Sequence, residues 1–181
     1  MRFSKEIRKE GEFEFIETKP DSEDIPLILL HGLMGALSNF EGIIQHFGDK
    51  QNVVIPLLPI YTIPLKSLDL DGLVESISDF IDYKGYKKVN LLGNSLGGHL
   101  AQMYAIEHPE KVNKIVLTGS SGLFENAFGS SFPRRSSRDY IRKKTEMVFY
   151  DPKVATEALV DDVFDSVSDL GRCIRIVKTA K

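Results

Sequence analysis

The chain has 181 residues, 42% of them hydrophobic and 27% charged, a balance that fits a soluble globular chain with a real core. A net charge of −3 favours neither nucleic acid nor an anionic membrane as a partner. No apolar run approaches the roughly 18 residues of a spanning helix. The charged start, Met1-Arg2-Phe3-Ser4-Lys5-Glu6, lacks an apolar signal core. The single cysteine, Cys173, cannot close an internal disulfide and lies in a helical apolar stripe, where it reads as a core residue. Both features point to a reducing cytoplasm.

The elements follow in order. Phe13 to Thr18 alternates as a half-exposed strand, and Lys19 to Pro26 is a polar turn. Leu27-Ile28-Leu29-Leu30 is a continuous apolar run, the mark of a central strand covered on both faces. It ends in His31-Gly32-Leu33-Met34-Gly35, a glycine-bearing loop. Phe40 to Phe47 reads as a short helix with Phe40, Ile43, Ile44 and Phe47 on one face. Gln51 to Leu58 is a third strand, stopped by Pro56 and Pro59. A proline-rich loop, Leu58 to Pro64, leads to a helix from Leu70-Asp71 to about Tyr83, with Leu73, Ile77, Phe80 and Ile81 inward.

Val89 to Leu92 is a buried strand that turns sharply through Gly93-Asn94-Ser95-Leu96-Gly97-Gly98 into a helix bearing Leu100, Met103, Tyr104 and Ala105 on one side. His108-Pro109 stops that helix. Val112 to Thr118 is a further buried strand, ending in Gly119-Ser120-Ser121-Gly122. Strands alternating with helices at this spacing imply βαβ units: an α/β fold with a mostly parallel sheet and helices on both faces.

After Gly122 only helical patterns remain, broken by Pro133 and Pro152. Val154 to Leu170 reads as one helix with Leu159, Val160, Val163, Phe164 and Val167 inward. Leu170, Cys173, Ile174 and Val177 continue at i, i+3, i+4, i+7. The expected division is a core over residues 1–122 and an inserted helical cap, or lid, over 123–181. The chain stops at Thr179-Ala180-Lys181 without a helix-ending residue, which suggests a truncated chain.

Gly93-x-Ser95-x-Gly97 is the nucleophile-elbow pattern, a serine on a strained strand-to-helix turn with its hydroxyl exposed. Glycines flank such a residue because strand and helix must approach closely, and the free N–H groups of the new helix suit a developing negative charge. The plainer reading is a βα turn with an ordinary serine.

Together, His31-Gly32 after one apolar strand, Gly93-Asn94-Ser95-Leu96-Gly97-Gly98 after another, and His108-Pro109-Glu110-Lys111-Val112 closing the next helix resemble the α/β-hydrolase superfamily over residues 13 to 122. The 123–181 block resembles the helical cap such enzymes carry. The resemblance implies that Ser95 is the nucleophile and that the backbone N–H groups of Leu96 and Leu33 form the oxyanion hole. His31, Gly32, Gly93, Asn94 and Gly97 support elbow and loop, and Gly32 and Gly35 bring the loop backbone near the substrate. It implies acyl transfer on a small carboxylic ester or related small-molecule acyl substrate, with no cofactor and no metal. Amide or carbon–carbon cleavage is possible on the same scaffold.

The family order is Ser, then Asp or Glu, then His, and here the sequence departs from it. The four histidines are His31, His46, His99 and His108, and none follows the helical block. Asp139, Asp151, Asp161, Asp162, Asp165 and Asp169 all lie within that block, and none is assigned as the acid. The resemblance makes His31 a loop-shaping residue and His99 a helix residue packed behind the elbow. His46 and His108 read as surface or helix-end residues. Three explanations stand open: a fragment of a longer enzyme, a short non-catalytic module that binds a ligand in the elbow pocket, or a site completed by a partner chain.

Three further features stand out. Arg134 to Lys144 holds six basic residues in eleven, read as a solvated lid segment because no aromatic stacking platform accompanies it. Phe124, Phe128, Phe132, Tyr61 and Ile60 are candidate pocket lining. The last strand would present an apolar sheet edge open to self-association.

Overall fold

The computed structural model describes residues 6–33, 37–123 and 134–179, apart from the Ser38 side chain. Six strands form one sheet in the order β1-β2-β4-β3-β5-β6: β1 Arg8–Glu10, β2 Phe13–Glu17, β3 Leu27–Leu30, β4 Val53–Pro56, β5 Val89–Asn94 and β6 Val112–Thr118. The β1-β2-β4 ladders are antiparallel, and β4-β3-β5-β6 are parallel. Between strands lie α1 Glu41–Phe47, α2 Leu70–Tyr83 and α3 Leu96–Glu107, with α4 Arg138–Glu146, α5 Glu157–Ser168 and α6 Leu170–Thr179 after β6.

The parallel centre follows from sequence. All four residues of β3 and of β4 are buried, as runs without polar alternation must be. Phe40 and Ile44 pack on one face with Ile16, Leu27, Leu29, Val53 and Ile55. On the other side of β2, Phe15 meets Phe80 of α2 with ring centroids 5.3 Å apart. Successive strand residues point to opposite faces, so α1 and α2 cover the two faces of the sheet.

The chain divides into two compact units, the first comprising the residues up to Pro59 and those from Leu70 through β6, the second Ile60–Asp69 with α4 to α6. The expected boundary at 122/123 placed residues 60–69 with the first. They belong with the second because the Arg175 guanidinium donates to the Ile60 carbonyl at 3.1 Å and the Ile63 carbonyl at 2.7 Å. Arg172 also lies over the Tyr61 ring.

Three further expectations are corrected, and one strand was not anticipated. The β1–β2 hairpin was not foreseen, because Arg8-Lys9-Glu10 is too short and too charged to read as a strand. Glu17, expected on a half-exposed strand, is buried. It accepts from Asn52 Nδ2 at 2.9 Å, Tyr86 Oη at 2.8 Å and Lys84 Nζ at 2.9 Å. β6, expected to be buried, leaves Ile115 40% and Val116 48% exposed, since β5 is its one strand neighbour among the described residues.

The single helix expected over Val154 to Leu170 is instead a 3₁₀ turn at Pro152–Val154 followed by α5. Asp151 caps the turn, and Thr156 caps α5 by accepting from Leu159 N–H. A second break falls at Asp169, whose carboxylate accepts from Arg172 N–H at 2.7 Å and starts α6. The reset turns α6 so that Cys173 and Ile176 are buried while Leu170 and Ile174 are exposed. Elsewhere in the second unit, Arg138 pairs with Glu157 and Asp161, and Arg142 with Glu157, tying α4 to α5.

Candidate functional site

β5 delivers Ser95 to the sheet's end and α3 begins at the next residue. Ser95 has φ 54° and ψ −120°, and among the described non-glycine residues it alone has positive φ. An L-residue adopts that conformation only where its surroundings impose it. Here the constraint is close packing. A Cβ on Gly93 would lie 2.3 Å from the Gly97 carbonyl oxygen, and one on Gly97 would lie 2.0 Å from that of Leu30. Strand β5, the head of α3 and the end of β3 meet without room for side chains, so the turn cannot relax. The Ser95 side chain makes no capping bond to α3, and the residue is exposed.

Neighbouring groups brace the elbow. Ser95 N–H donates to the Thr118 carbonyl at 3.2 Å, and Ser121 N–H donates to the Ser95 carbonyl at 3.2 Å. Asn94 Nδ2 donates to the Thr118 carbonyl at 3.0 Å. Gln102 Nε2 reaches Ser120 Oγ at 2.9 Å and the Ser121 carbonyl at 3.2 Å. Thr118, Ser121 and Gln102 were not foreseen as supports; the Thr-Gly-Ser-Ser run after an apolar strand was the one available signal. Leu96 is buried as the first residue of α3, where a helix's leading N–H groups lack intrahelical acceptors.

The loop leaving β3 lies directly against the serine, with the Cβ position of Gly32 3.3 Å from Ser95 Cβ. Leu33 follows in a turn and is half-buried; Met34 and Gly35 fall outside the described residues. His31 is 5% exposed. Its Nδ1 sits 2.8 Å from the Gly32 carbonyl, and its Nε2 accepts from Leu58 N–H at 3.0 Å. Burial holds its pKa below the usual histidine value, against the opposing pull of the Gly32 carbonyl.

The other histidines are placed elsewhere. A Cβ on Gly122 would lie 2.4 Å from His99 Cδ2, so the His99 ring packs on that glycine. His108 caps the end of α3 with its ring against Tyr104, and His46 lies near Lys50. Among the described residues no hydrogen bond joins the Ser95 hydroxyl to a histidine, and no group of acidic, cysteine or histidine side chains could hold a metal ion. Asp151, Asp161 and Asp169 are engaged in caps or ion pairs of the second unit. There too Ile60 is buried and Tyr61 partly exposed. Phe124, Phe128 and Phe132 lie outside the described residues.

A family model described as the alpha/beta hydrolase fold matches residues 25–147. The chain belongs to the alpha/beta hydrolase family. Over 97% of its length it is 34% identical, with a TM-score of 0.72, to the alpha/beta hydrolase MGS-MChE2 from the metagenome of Mar Chica lagoon sediments, Morocco, of which it covers 64%. It is similar to a 2-hydroxy-6-oxo-6-phenylhexa-2,4-dienoate hydrolase from Rhodococcus sp. strain RHA1, at 26% identity and a TM-score of 0.70, over 93% of this chain and 67% of that one.

A 2-hydroxy-6-oxononadienedioate/2-hydroxy-6-oxononatrienedioate hydrolase of a Pseudomonas species is 28% identical over 59% of this chain and 41% of its own. The dihydrolipoyllysine-residue acetyltransferase component of an acetoin cleaving system from Pseudomonas putida is also 28% identical, over 76% of this chain. This alpha/beta hydrolase chain spans 39% of that protein's length. Among the described residues no helix is long and apolar enough to cross a membrane.

Proposed function

We propose that this alpha/beta hydrolase is a serine hydrolase in which Ser95 is the nucleophile, acting on a small carboxylic ester or related acyl substrate. The observation that carries the reading is the Ser95 backbone at φ 54° between β5 and α3. Such strain persists only where the surroundings over-determine it, and it clusters at functional sites.

In this reading the Ser95 Oγ–carbonyl bond forms and the hydroxyl proton passes to a base. The N–H groups of Leu33 and Leu96 stabilise the charge on the carbonyl oxygen. Collapse expels the alcohol, and water then releases the acid and restores Ser95. His31, Gly32, Gly93, Asn94 and Gly97 hold the turn and the loop. The helical second unit is the cap, and the reaction calls for no cofactor. The single cysteine suits a reducing cytoplasm.

Relatives named for 2-hydroxy-6-oxo acids make carbon–carbon cleavage an alternative on the same elbow. A second reading, a non-catalytic module binding a ligand at the elbow, is favoured by the absence, among the described residues, of a histidine bonded to Ser95.

The deciding experiment treats the chain and its Ser95→Ala variant with a fluorophosphonate and with a short p-nitrophenyl ester. Covalent labelling and ester turnover, both lost in Ser95→Ala, are expected. Background rates in both proteins, with saturable ligand binding that survives Ser95→Ala, would establish the binding module instead.

A further inference from the structure

We infer that His31 is a positioning residue, a latch that holds the loop bearing the Leu33 N–H in place only as the neutral Nδ1–H tautomer, and that acid releases it. The inference rests on the oxyanion-hole role proposed above for Leu33. A main-chain N–H has no choice but to donate, so the Leu58 N–H at 3.0 Å requires a lone pair on Nε2. The ring proton is therefore on Nδ1, where it donates to the Gly32 carbonyl at 2.8 Å. Both ring nitrogens are thus assigned by their partners.

The ring bridges two loops that leave neighbouring parallel strands, β3 and β4. One of them carries Gly32 against Ser95 and Leu33 next in sequence. A second proton has only Nε2 to occupy. Adding it would set a donor against the Leu58 N–H and leave that buried amide without an acceptor, which is costly. No carboxylate or cation among the described residues acts on the ring to stabilise its charge, and its polar neighbours are the Gly32 carbonyl and the Leu58 amide. With Nε2 occupied and Nδ1–H bonded, His31 has no free ring nitrogen to act as the base for Ser95.

The test is ¹⁵N–¹H NMR of the full chain across a pH titration, beside fluorophosphonate labelling of Ser95. The expected result is a protonated Nδ1 and a bare Nε2 at neutral pH. On acidification the Leu58 and Leu33 amide resonances should move in the same step as the His31 ring. An Nε2–H tautomer, or a Leu33 amide indifferent to that step, would overturn the latch.

In labelling, His31→Leu should lose about tenfold in rate, the scale on which small misplacements act. His31→Gln, whose Oε1 can accept from Leu58 N–H, should recover most of that rate and lack the acid step. Equal rates and equal pH profiles in all three proteins would also overturn the latch. Thermal unfolding of each variant separates loss of the loop from loss of the fold. If wild-type Ser95 resists labelling at every pH while Leu33 still follows His31, the nucleophile reading fails and the latch stands.

Discussion

Gly32 stands against Ser95 so closely that a Cβ on the glycine would come within 3.3 Å of the serine Cβ and 3.6 Å of the Asn94 carbonyl oxygen. Two loops that meet only in the tertiary structure thereby set one another's position. Gly32→Ala should fold, at a cost of about 1 kcal/mol for mild overpacking. It should slow fluorophosphonate labelling of Ser95 by about tenfold as the serine is pushed off its position. Labelling kinetics beside a denaturant melt separate the two effects. An unchanged labelling rate would show that the loop yields freely.

Glu17 anchors the far side of the sheet. Its buried carboxylate accepts from Asn52, Tyr86 and Lys84, with Arg8 3.7 Å away. Burial alone would raise its pKa, but those hydrogen bonds and the Lys84 charge hold it below the usual carboxylate value. The neighbouring Tyr86 hydroxyl is pushed up by burial and by Glu17. A depressed carboxylate stabilises the fold fully above its unfolded value, and that share is lost as pH falls through the folded one. Glu17→Gln should therefore cost about 2 kcal/mol at neutral pH, where a buried pair is broken with its cations still partly hydrated. The gap to wild type should narrow at low pH, as urea melts across a pH series would reveal.

At the sheet's other edge, β6 presents Ile115 and Val116 to solvent, and among the described residues no strand pairs with its outer edge. An apolar edge strand invites pairing with a second copy. The chain should self-associate with rising concentration, and Ile115→Lys should keep it monomeric, as sedimentation velocity would show. Equal association in both proteins would place the contact elsewhere.

Arg175 holds residues 60–69 to α6 through two main-chain carbonyls. Arg175→Met keeps much of the apolar stem and removes both bonds. A loss of about 2 kcal/mol is expected in the second unit, since hydrogen bonds from a charged donor exceed neutral ones. Limited proteolysis within 60–69 should quicken at least severalfold. Arg175→Lys should fall between the two: one nitrogen, Nη1, makes both bonds, and an ammonium can donate to the same carbonyls but lacks the planar, pre-organised donor geometry of the guanidinium.

Much of the fold was legible in the chain itself. Leu27 to Leu30 is an apolar run that only a sheet covered on both faces can bury, and the strand–helix alternation dictated the parallel order of the strands around it. Gly93, Ser95 and Gly97 announced a tight turn because glycine is the residue type that permits so close an approach. What the sequence by itself could not decide depended on partners distant along the chain. Glu17 reads as a solvent-facing strand residue until Asn52, Lys84 and Tyr86 are brought around it. Val112 to Thr118 reads as buried until the sheet order makes it an edge.

The tautomer of His31 likewise depends on Leu58, 27 residues away. Local pattern determines which residues form strands, turns and helices, because it acts through backbone geometry and the burial of adjacent side chains. Which groups share a proton, and which faces meet water, is set by contacts across the fold, and only the tertiary structure supplies those.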